Sequence, residues 1–241
     1  MAYTTINKHT AYFNTKLWSG NGSSQALTGV GHQTDMVWIK SRTDTRKHNM
    51  YDVVRGVQKR IVPNDNVPED TASGVTAFGT DGFTVGSETD TNGGSRNFVG
   101  WSWKAGAGQG SSNTDGSINT TYTSVNTTAG FSISKYTGTG ANATVGHGLG
   151  VTPQVVIVKN LDSSGGSAEH WRVQHHKVSA SKVLYLNLSN AEDTNGDFQS
   201  TYPTSSTFSI SSADGCNKNG EENIAYCFAE KTGYSKFGSY T

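Results

Sequence analysis

The sequence repeats itself over most of its length, and this repetition limits the fold more than any other feature. Glycines, aromatic residues and a lysine recur in the same order about 118 positions later, and the spacing then grows to 119. The matching sets are Phe13, Trp18, Gly20 and Gly22 with Phe131, Tyr136, Gly138 and Gly140, then Gly29, Gly31, Val37, Ile39 and Lys40 with Gly148, Gly150, Val156, Val158 and Lys159. Repetition at a nearly fixed period indicates duplicated structural units. We therefore predict two copies of one domain.

Later matches in the two copies are farther apart, at a spacing of about 126. They pair Phe83 and Val85 with Phe208 and Ile210, and Gly94, Asn97 and Phe98 with Gly220, Asn223 and Ile224. The growing spacing predicts loop insertions in the second copy. We expect a first repeat over residues 1–104, a second over 130–233, and between them a linker at 105–129. This linker is rich in Gly, Ser, Thr and Asn, and it can contribute one edge strand.

Short apolar segments separated by turn residues predict an all-β fold. The expected strands are Phe13–Trp18, Met36–Lys40, Val75–Phe78, Phe83–Val85 and Asn97–Lys104, then Phe131–Tyr136, Gln154–Lys159, Val183–Leu188, Thr207–Ser211 and Asn223–Ala229. No window sustains a helical period. The sequence thus favours two tandem antiparallel, jelly-roll-like (lectin-like) β-sandwiches. In the strand at 97–104, alternation predicts that Val99, Trp101 and Trp103 face the core.

Charge and apolar content argue against two classes of partner. Lys and Arg number 19, Asp and Glu also number 19, and the formal net charge is zero. A nucleic-acid-binding protein needs clustered basic residues, and none are present, so we expect no nucleic-acid partner. No apolar run approaches the roughly 18 residues of a membrane span, so we expect no membrane partner.

The sequence offers little for metal or cofactor binding. His170, His175 and His176 are the only clustered histidines, and their spacing fits no helical zinc motif. Two cysteines, Cys216 and Cys227, are too few for a structural zinc site or a disulfide scaffold. The glycine pairs lack the strand-to-helix context of a phosphate-binding loop. We expect neither metal nor cofactor.

A few single residues bear on enzymatic and sugar-binding functions. Three acidic pairs could in principle serve a glycosidase: Glu69 with Asp70, Glu88 with Asp90, and Glu221 with Glu222. They lie in polar loops, and the pair Glu88 and Asp90 has no counterpart in the second copy, so we expect no enzyme. Trp18 and Tyr136 share a repeat position, as do Trp38 and Ile157, which favours core packing over exposure. Trp171 lies in a polar segment and is the candidate for glycan contact.

Several motifs together carry a family resemblance. They are Ala2–Ile6, Tyr12–Phe13, Ser19–Gly22, Val37–Lys40, Asp81–Gly86, Trp101–Gly106 and Tyr136–Gly138. The chain resembles, over nearly its whole length, a tandem-repeat domain of unknown function found in virion proteins of marine bacteriophages. No catalytic residues accompany these motifs. The final segment, residues 234–241, is similar to the start of a further repeat, and we expect the natural protein to continue beyond it.

The resemblance implies a non-enzymatic virion structural protein, an external fibre or decoration component that docks on the tail or the capsid. Such a protein would be made in the host cytoplasm and exposed on the outside of the particle. Its expected partners are other phage virion proteins and further copies of itself. A host-surface glycan-binding module is the alternative, and a polysaccharide-cleaving enzyme is a weaker one.

Overall fold

The computed structural model describes residues 4–162 and 169–240, and these residues form an all-β protein. Every pairing between its strands is antiparallel. The strands are β1 (Phe13–Ser19), β2 (Gln25–Thr28), β3 (Met36–Ser41), β4 (Asn49–Asp52), β5 (Lys59–Arg60), β6 (Asp70–Thr71), β7 (Val75–Gly79), β8 (Gly82–Val85), β9 (Asn97–Trp103), β10 (Tyr122–Asn126), β11 (Phe131–Thr137), β12 (Ala143–Gly146), β13 (Val155–Asn160), β14 (Arg172–His175), β15 (Leu184–Tyr185), β16 (Thr207–Ile210) and β17 (Glu222–Phe228). The all-β prediction is confirmed.

Helical structure in the described residues is limited to short pieces. A 3-10 turn spans His9–Ala11, and the two α-helices, α1 (Thr89–Asn92) and α2 (Asp214–Asn217), have four residues each. In this part of the chain no helix is long and apolar enough to cross a membrane. Each α-helix comes shortly before the long strand that follows it, β9 or β17.

The chain divides into two compact units. The N-terminal unit contains Lys8–Asp65 and Glu69–Gln109, and the C-terminal unit contains the chain from Gly110 onward with Asn66–Pro68 and residues 4–7. The segment expected to be a linker, 105–129, therefore contributes most of its length to the C-terminal unit. Its strand β10 lies at the edge of that unit's main sheet.

The N-terminal unit packs two sheets face to face. One sheet has the order β1-β9-β3-β4 and the other β2-β8-β7, while β5 and β6 form a separate pair. Buried side chains from both sheets meet between them: Trp18, Leu27, Val37, Ile39, Tyr51, Val75, Phe83, Val85 and Phe98. Burial of these apolar side chains is the main favourable contribution to folding of the unit.

The C-terminal unit has a similar arrangement. Its main sheet has the order β10-β11-β17-β13-β14-β15, with one extra strand at each edge, and its second sheet pairs β12 with β16 without a counterpart of β7 among the described residues. The inner four strands, β11-β17-β13-β14, thus repeat the order β1-β9-β3-β4. Its core contains Tyr136, Val145, Leu149, Val156, Val158, Phe198, Phe208, Ile210, Ala225 and Cys227 with several smaller contributors.

Strand β9 faces the core with the opposite side from the one expected. Phe98 is fully buried in the core, whereas Trp101 and Trp103 are half-buried on the other face. The core face is narrow at Gly100, because a Cβ there would lie 3.1 to 3.2 Å from Trp18, Phe83 and Val37. A side chain larger than that of glycine at this position would press against these three neighbours.

The sheet registers also correct the sequence alignment of the last strands. Phe13 pairs with Trp103 in one unit, and Phe131 pairs with Phe228 in the other, so β9 and β17 correspond at a spacing of 125. Phe98 therefore corresponds to Asn223 rather than to Ile224. Of the expected strands, only Val183–Leu188 is much shorter than predicted, since β15 covers Leu184–Tyr185.

Candidate functional site

An aromatic side chain is anchored in the same way in both units. Trp18 on β1 donates from Nε1 to the carbonyl oxygen of Thr91 at 3.2 Å, and Tyr136 on β11 donates from its hydroxyl to that of Cys216 at 2.6 Å. Thr91 lies in α1 and Cys216 in α2. Both aromatic side chains are buried, so the predicted core role of this repeat position is confirmed.

A buried asparagine at the end of each short helix clamps the glycine turn after the first long strand. Asn92 donates from Nδ2 to the carbonyl oxygens of Ser23 at 2.5 Å and Gly86 at 2.8 Å. Asn217 donates to those of Ala141 at 2.5 Å and Ser211 at 2.7 Å. Ser23 and Ala141 are 118 positions apart, like strands β1 and β11, and the other two pairs of residues are 125 apart, like β9 and β17. The clamp is therefore equivalent in the two units.

Beside each clamp lies a glycine, Gly20 or Gly138, that another backbone segment approaches too closely for any other residue. A Cβ at Gly20 would lie 2.3 Å from the carbonyl oxygen of Gly93, and one at Gly138 would lie 2.3 Å from that of Lys218. No side chain can be accommodated at such a distance without moving the backbone. The recurring glycines are therefore structural, in agreement with the turn positions expected for them.

Trp171, the candidate for glycan contact, is fully buried, with 0% exposure. The expectation that it is exposed was wrong. Its backbone N–H donates to Oδ1 of Asn187 at 3.1 Å, and its carbonyl oxygen accepts from Leu186 at 3.3 Å. A sugar cannot stack on an indole that solvent does not reach, so Trp171 acts as a packing residue.

The residues around Trp171 form a buried charge network. The Arg172 guanidinium bonds Asp197 at 2.7 Å and Glu169 at 3.1 Å, and it lies 4.9 Å from the ring centre of Tyr185. Burial raises the pKa of the Asp197 carboxyl, although Arg172 opposes this shift. Arg172 thus links two carboxylates from different segments of the unit, so the network ties these segments together.

The clustered histidines are engaged in separate contacts. His170 pairs through Nδ1 with Asn187 at 2.8 Å, and His176 bonds the carbonyl oxygen of Phe237 through Nε2 at 2.9 Å. The rings of His175 and His176 lie 5.2 Å apart. Within residues 4–162 and 169–240, no group of three or more His, Cys, Asp or Glu side chains is arranged to hold a metal ion.

Each carboxylate of the three acidic pairs has a basic partner. Glu69 bonds Arg55 and Lys59, Asp70 bonds Arg60, and Glu88 and Asp90 pair with Arg60 and Arg46. In the C-terminal unit, Glu221 pairs with Lys218 at 3.0 Å and Glu222 with Lys135 at 2.8 Å. These carboxylates are thus occupied in ion pairs within their own units.

One serine–histidine contact is not predicted from the sequence. His32 Nε2 lies 3.0 Å from Ser102 Oγ, and Thr34 Oγ1 lies 2.9 Å from the same oxygen. The contact has the geometry of a nucleophile and its base. Ser102 is nevertheless fully buried, so no substrate reaches it. Serines are too numerous in the sequence for this one to be singled out in advance.

Comparison with known proteins gives one family match. Residues 8–241 match a family model described as Domain of unknown function (DUF7483), which spans both units. No curated protein and no solved structure shows significant similarity to the chain.

Proposed function

The chain belongs to the DUF7483 family, and we propose that it is a non-enzymatic structural protein on the outside of a bacteriophage particle. In this proposal its two units are two copies of one jelly-roll-like β-sandwich. The protein is an external fibre or decoration component that docks on the tail or the capsid.

The observation that carries the proposal is the repetition of backbone-anchoring contacts. The strand order, the aromatic anchor, the asparagine clamp and the glycine approach all recur in both units. These contacts define the shape of a sheet and its turns, and the aromatic and asparagine side chains that make them are buried. A scaffold protein requires a well-defined shape, and this chain has two units with the same anchoring contacts.

The state of the candidate chemical groups supports a non-enzymatic role. The paired acidic residues are held by basic side chains, and the serine–histidine contact is shielded from solvent. A weaker alternative, a polysaccharide-cleaving enzyme, requires two accessible carboxyl groups with different protonation. In this chain Glu69, Glu88 and Glu221 are each held in an ion pair with a basic side chain.

The setting in a virion rests on the resemblance of the sequence motifs to phage virion proteins. A neutral, hydroxyl-rich surface is compatible with a protein made in the host cytoplasm and then exposed outside the particle. Its partners would be other virion proteins and symmetric copies of the same chain. Nucleic acid and membrane are not expected partners.

Mass spectrometry of gradient-purified particles tests the proposal. We expect the chain at a fixed copy number relative to the major capsid protein. We also expect its peptides to be released first when intact particles are treated with protease, whereas an internal virion protein stays protected as the control. Recovery of the chain only from the unassembled lysate would overturn the proposal.

A further inference from the structure

The C-terminal unit contains a small open pocket whose lining includes none of the residues of the aromatic anchor, the asparagine clamp or the Arg172 network. Its volume is about 260 Å³, and Pro153, Gln174, His176, Tyr202 and Pro203 are among the residues that line it. This is just below the roughly 300–1,000 Å³ typical of ligand pockets, which suits a ligand of about one sugar ring. We infer that this pocket binds a neutral sugar.

Tyr202 gives the pocket an aromatic wall that solvent reaches. The residue is 43% exposed, and its hydroxyl donates to the carbonyl oxygen of Val178 at 2.9 Å. This bond fixes the ring in place before any ligand arrives, which reduces the entropy lost on binding. The apolar C–H face of a pyranose packs well on such a fixed ring.

Gln174 holds a hydrogen-bond acceptor behind the surface of the pocket. The residue is 2% exposed, and Nε2 donates to the carbonyl oxygen of Thr201 at 2.8 Å. Among the described residues, Oε1 of Gln174 is closed off from solvent and has no hydrogen-bond partner. A buried acceptor without a partner is unfavourable, so a sugar hydroxyl that meets Oε1 when the amide turns toward the pocket supplies a bond that the empty pocket lacks.

The remaining polar groups favour a neutral ligand with several donors. His176 donates from Nε2 to Phe237, so in its neutral form Nδ1 is a second acceptor. No Asp, Glu, Lys or Arg lines the pocket among the described residues. The pocket therefore lacks the permanently charged side chains that usually hold a phosphate, a sialic acid or a cationic ligand.

The N-terminal unit lacks the Gln174 acceptor, because a tyrosine occupies the corresponding position. In the sheet registers Tyr51 pairs with Val37 as Gln174 pairs with Val156, so Tyr51 takes the equivalent place. Tyr51 is fully buried in the core of the N-terminal unit. The pocket is thus a point at which the two units differ. The inference goes beyond the proposed structural role and does not depend on it.

Ligand-observed saturation-transfer NMR on the full chain tests this inference with D-glucose, D-galactose, D-mannose and N-acetyl-D-glucosamine as probes. We expect transfer to at least one of them and none to N-acetylneuraminic acid. Tyr202→Ala should weaken binding at least tenfold, and Tyr240→Ala, which changes a fully exposed tyrosine outside the pocket, should leave it unchanged.

A second variant separates ligand contact from a merely structural role. Gln174→Met should lower sugar affinity at least threefold in a chain that circular dichroism shows to be folded, because it removes the unpartnered oxygen together with the bond from Nε2 to Thr201. No transfer from any of the four neutral sugars at millimolar concentration would overturn the inference. Undiminished transfer in the folded Tyr202→Ala variant would also overturn it. Neither result bears on whether the chain is found in the particle.

Discussion

The N-terminal and C-terminal units use different side chains to bond equivalent backbone carbonyl groups. Trp18 bonds a helix carbonyl through an indole N–H, whereas Tyr136 bonds the equivalent carbonyl through a hydroxyl. The two rings differ in size, and each is matched by its own neighbours. The position of the carbonyl acceptor is retained while the donor varies, so the backbone geometry is the common element of the two units.

The units also differ in how the chain leaves the last strand. In the N-terminal unit the Asp35 carboxylate accepts from the backbone N–H groups of Ala105, Ala107 and Gly108 at 2.7 to 3.1 Å. In the C-terminal unit the equivalent residue is Gln154, whose Oε1 accepts from Glu230 at 2.6 Å. Burial raises the pKa of Asp35, whereas a neutral amide has no such cost.

The largest effect is expected from adding a methyl group to Gly20 or Gly138, where another backbone segment passes very close. Gly20→Ala and Gly138→Ala should each lower the free energy of unfolding by at least about 3 kcal/mol, because the new Cβ overlaps a backbone oxygen. Hydrogen exchange followed by mass spectrometry should show the loss of protection in the altered unit. Gly238→Ala, which meets no atom within 4 Å, is the control. A small effect at either glycine would contradict the equivalence.

The asparagine clamp should give the next largest effect. Asn92→Ala and Asn217→Ala each remove a buried amide that donates to two backbone carbonyl oxygens, at a cost of about 2–3 kcal/mol. Chemical denaturation of the two variants should give losses within about 1 kcal/mol of each other if the clamps are equivalent. The exposed Asn219→Ala serves as the matched control. A loss in only one variant would show that the clamps differ.

The aromatic anchors allow a finer comparison. Tyr136→Phe removes only the hydroxyl that bonds Cys216, and we expect a loss of about 1–2 kcal/mol. Trp18→Phe removes the bond to Thr91 and also leaves a cavity, so its loss should be larger. Thermal unfolding measures both, with Tyr240→Phe as the exposed control. Equal losses for the two would mean that the cavity term is absent.

The smallest expected effect is on pH dependence. Burial lowers the pKa of His32 in one unit and His147 in the other from the ordinary value of 6.5. The unfolded chain therefore takes up these protons first, and stability is lost as the pH falls below about 6.5 through the lowered pKa values. Replacing both residues with Gln should make the melting temperature fall less between pH 7.5 and 5.5. An unchanged slope would show that other groups control it, and exposed His9→Gln is the control.

The sequence predicts the fold class and most strands because turn residues and apolar runs are local signals. It does not predict which face of β9 is buried. Alternation along Asn97–Trp103 gives two faces, and the larger residues, Trp101 and Trp103, are on the half-buried one. The choice depends on Trp18 and Phe83, which crowd Gly100 from distant parts of the chain. A shift of one residue in the alignment reverses every side chain of a strand, so the spacing of 126 also misplaced Phe98.

The candidate site was harder to predict than the fold. Trp171 lies among polar residues in the sequence, yet its burial depends on contacts with Asn187 and Leu186 on another segment. The pocket at Tyr202 combines residues from three separate segments, and its feature of interest, an unpartnered amide oxygen, has no sequence signature. Pairing of the acidic residues with lysines and arginines is likewise a property of the fold.

Cryo-electron microscopy of purified particles is the most direct test of a structural role in the virion. We expect two β-sandwiches with matching order of the main-sheet strands at a symmetric, ordered position on the outer surface of the tail or the capsid. Particles that lack both density for the chain and its peptides would rule this role out.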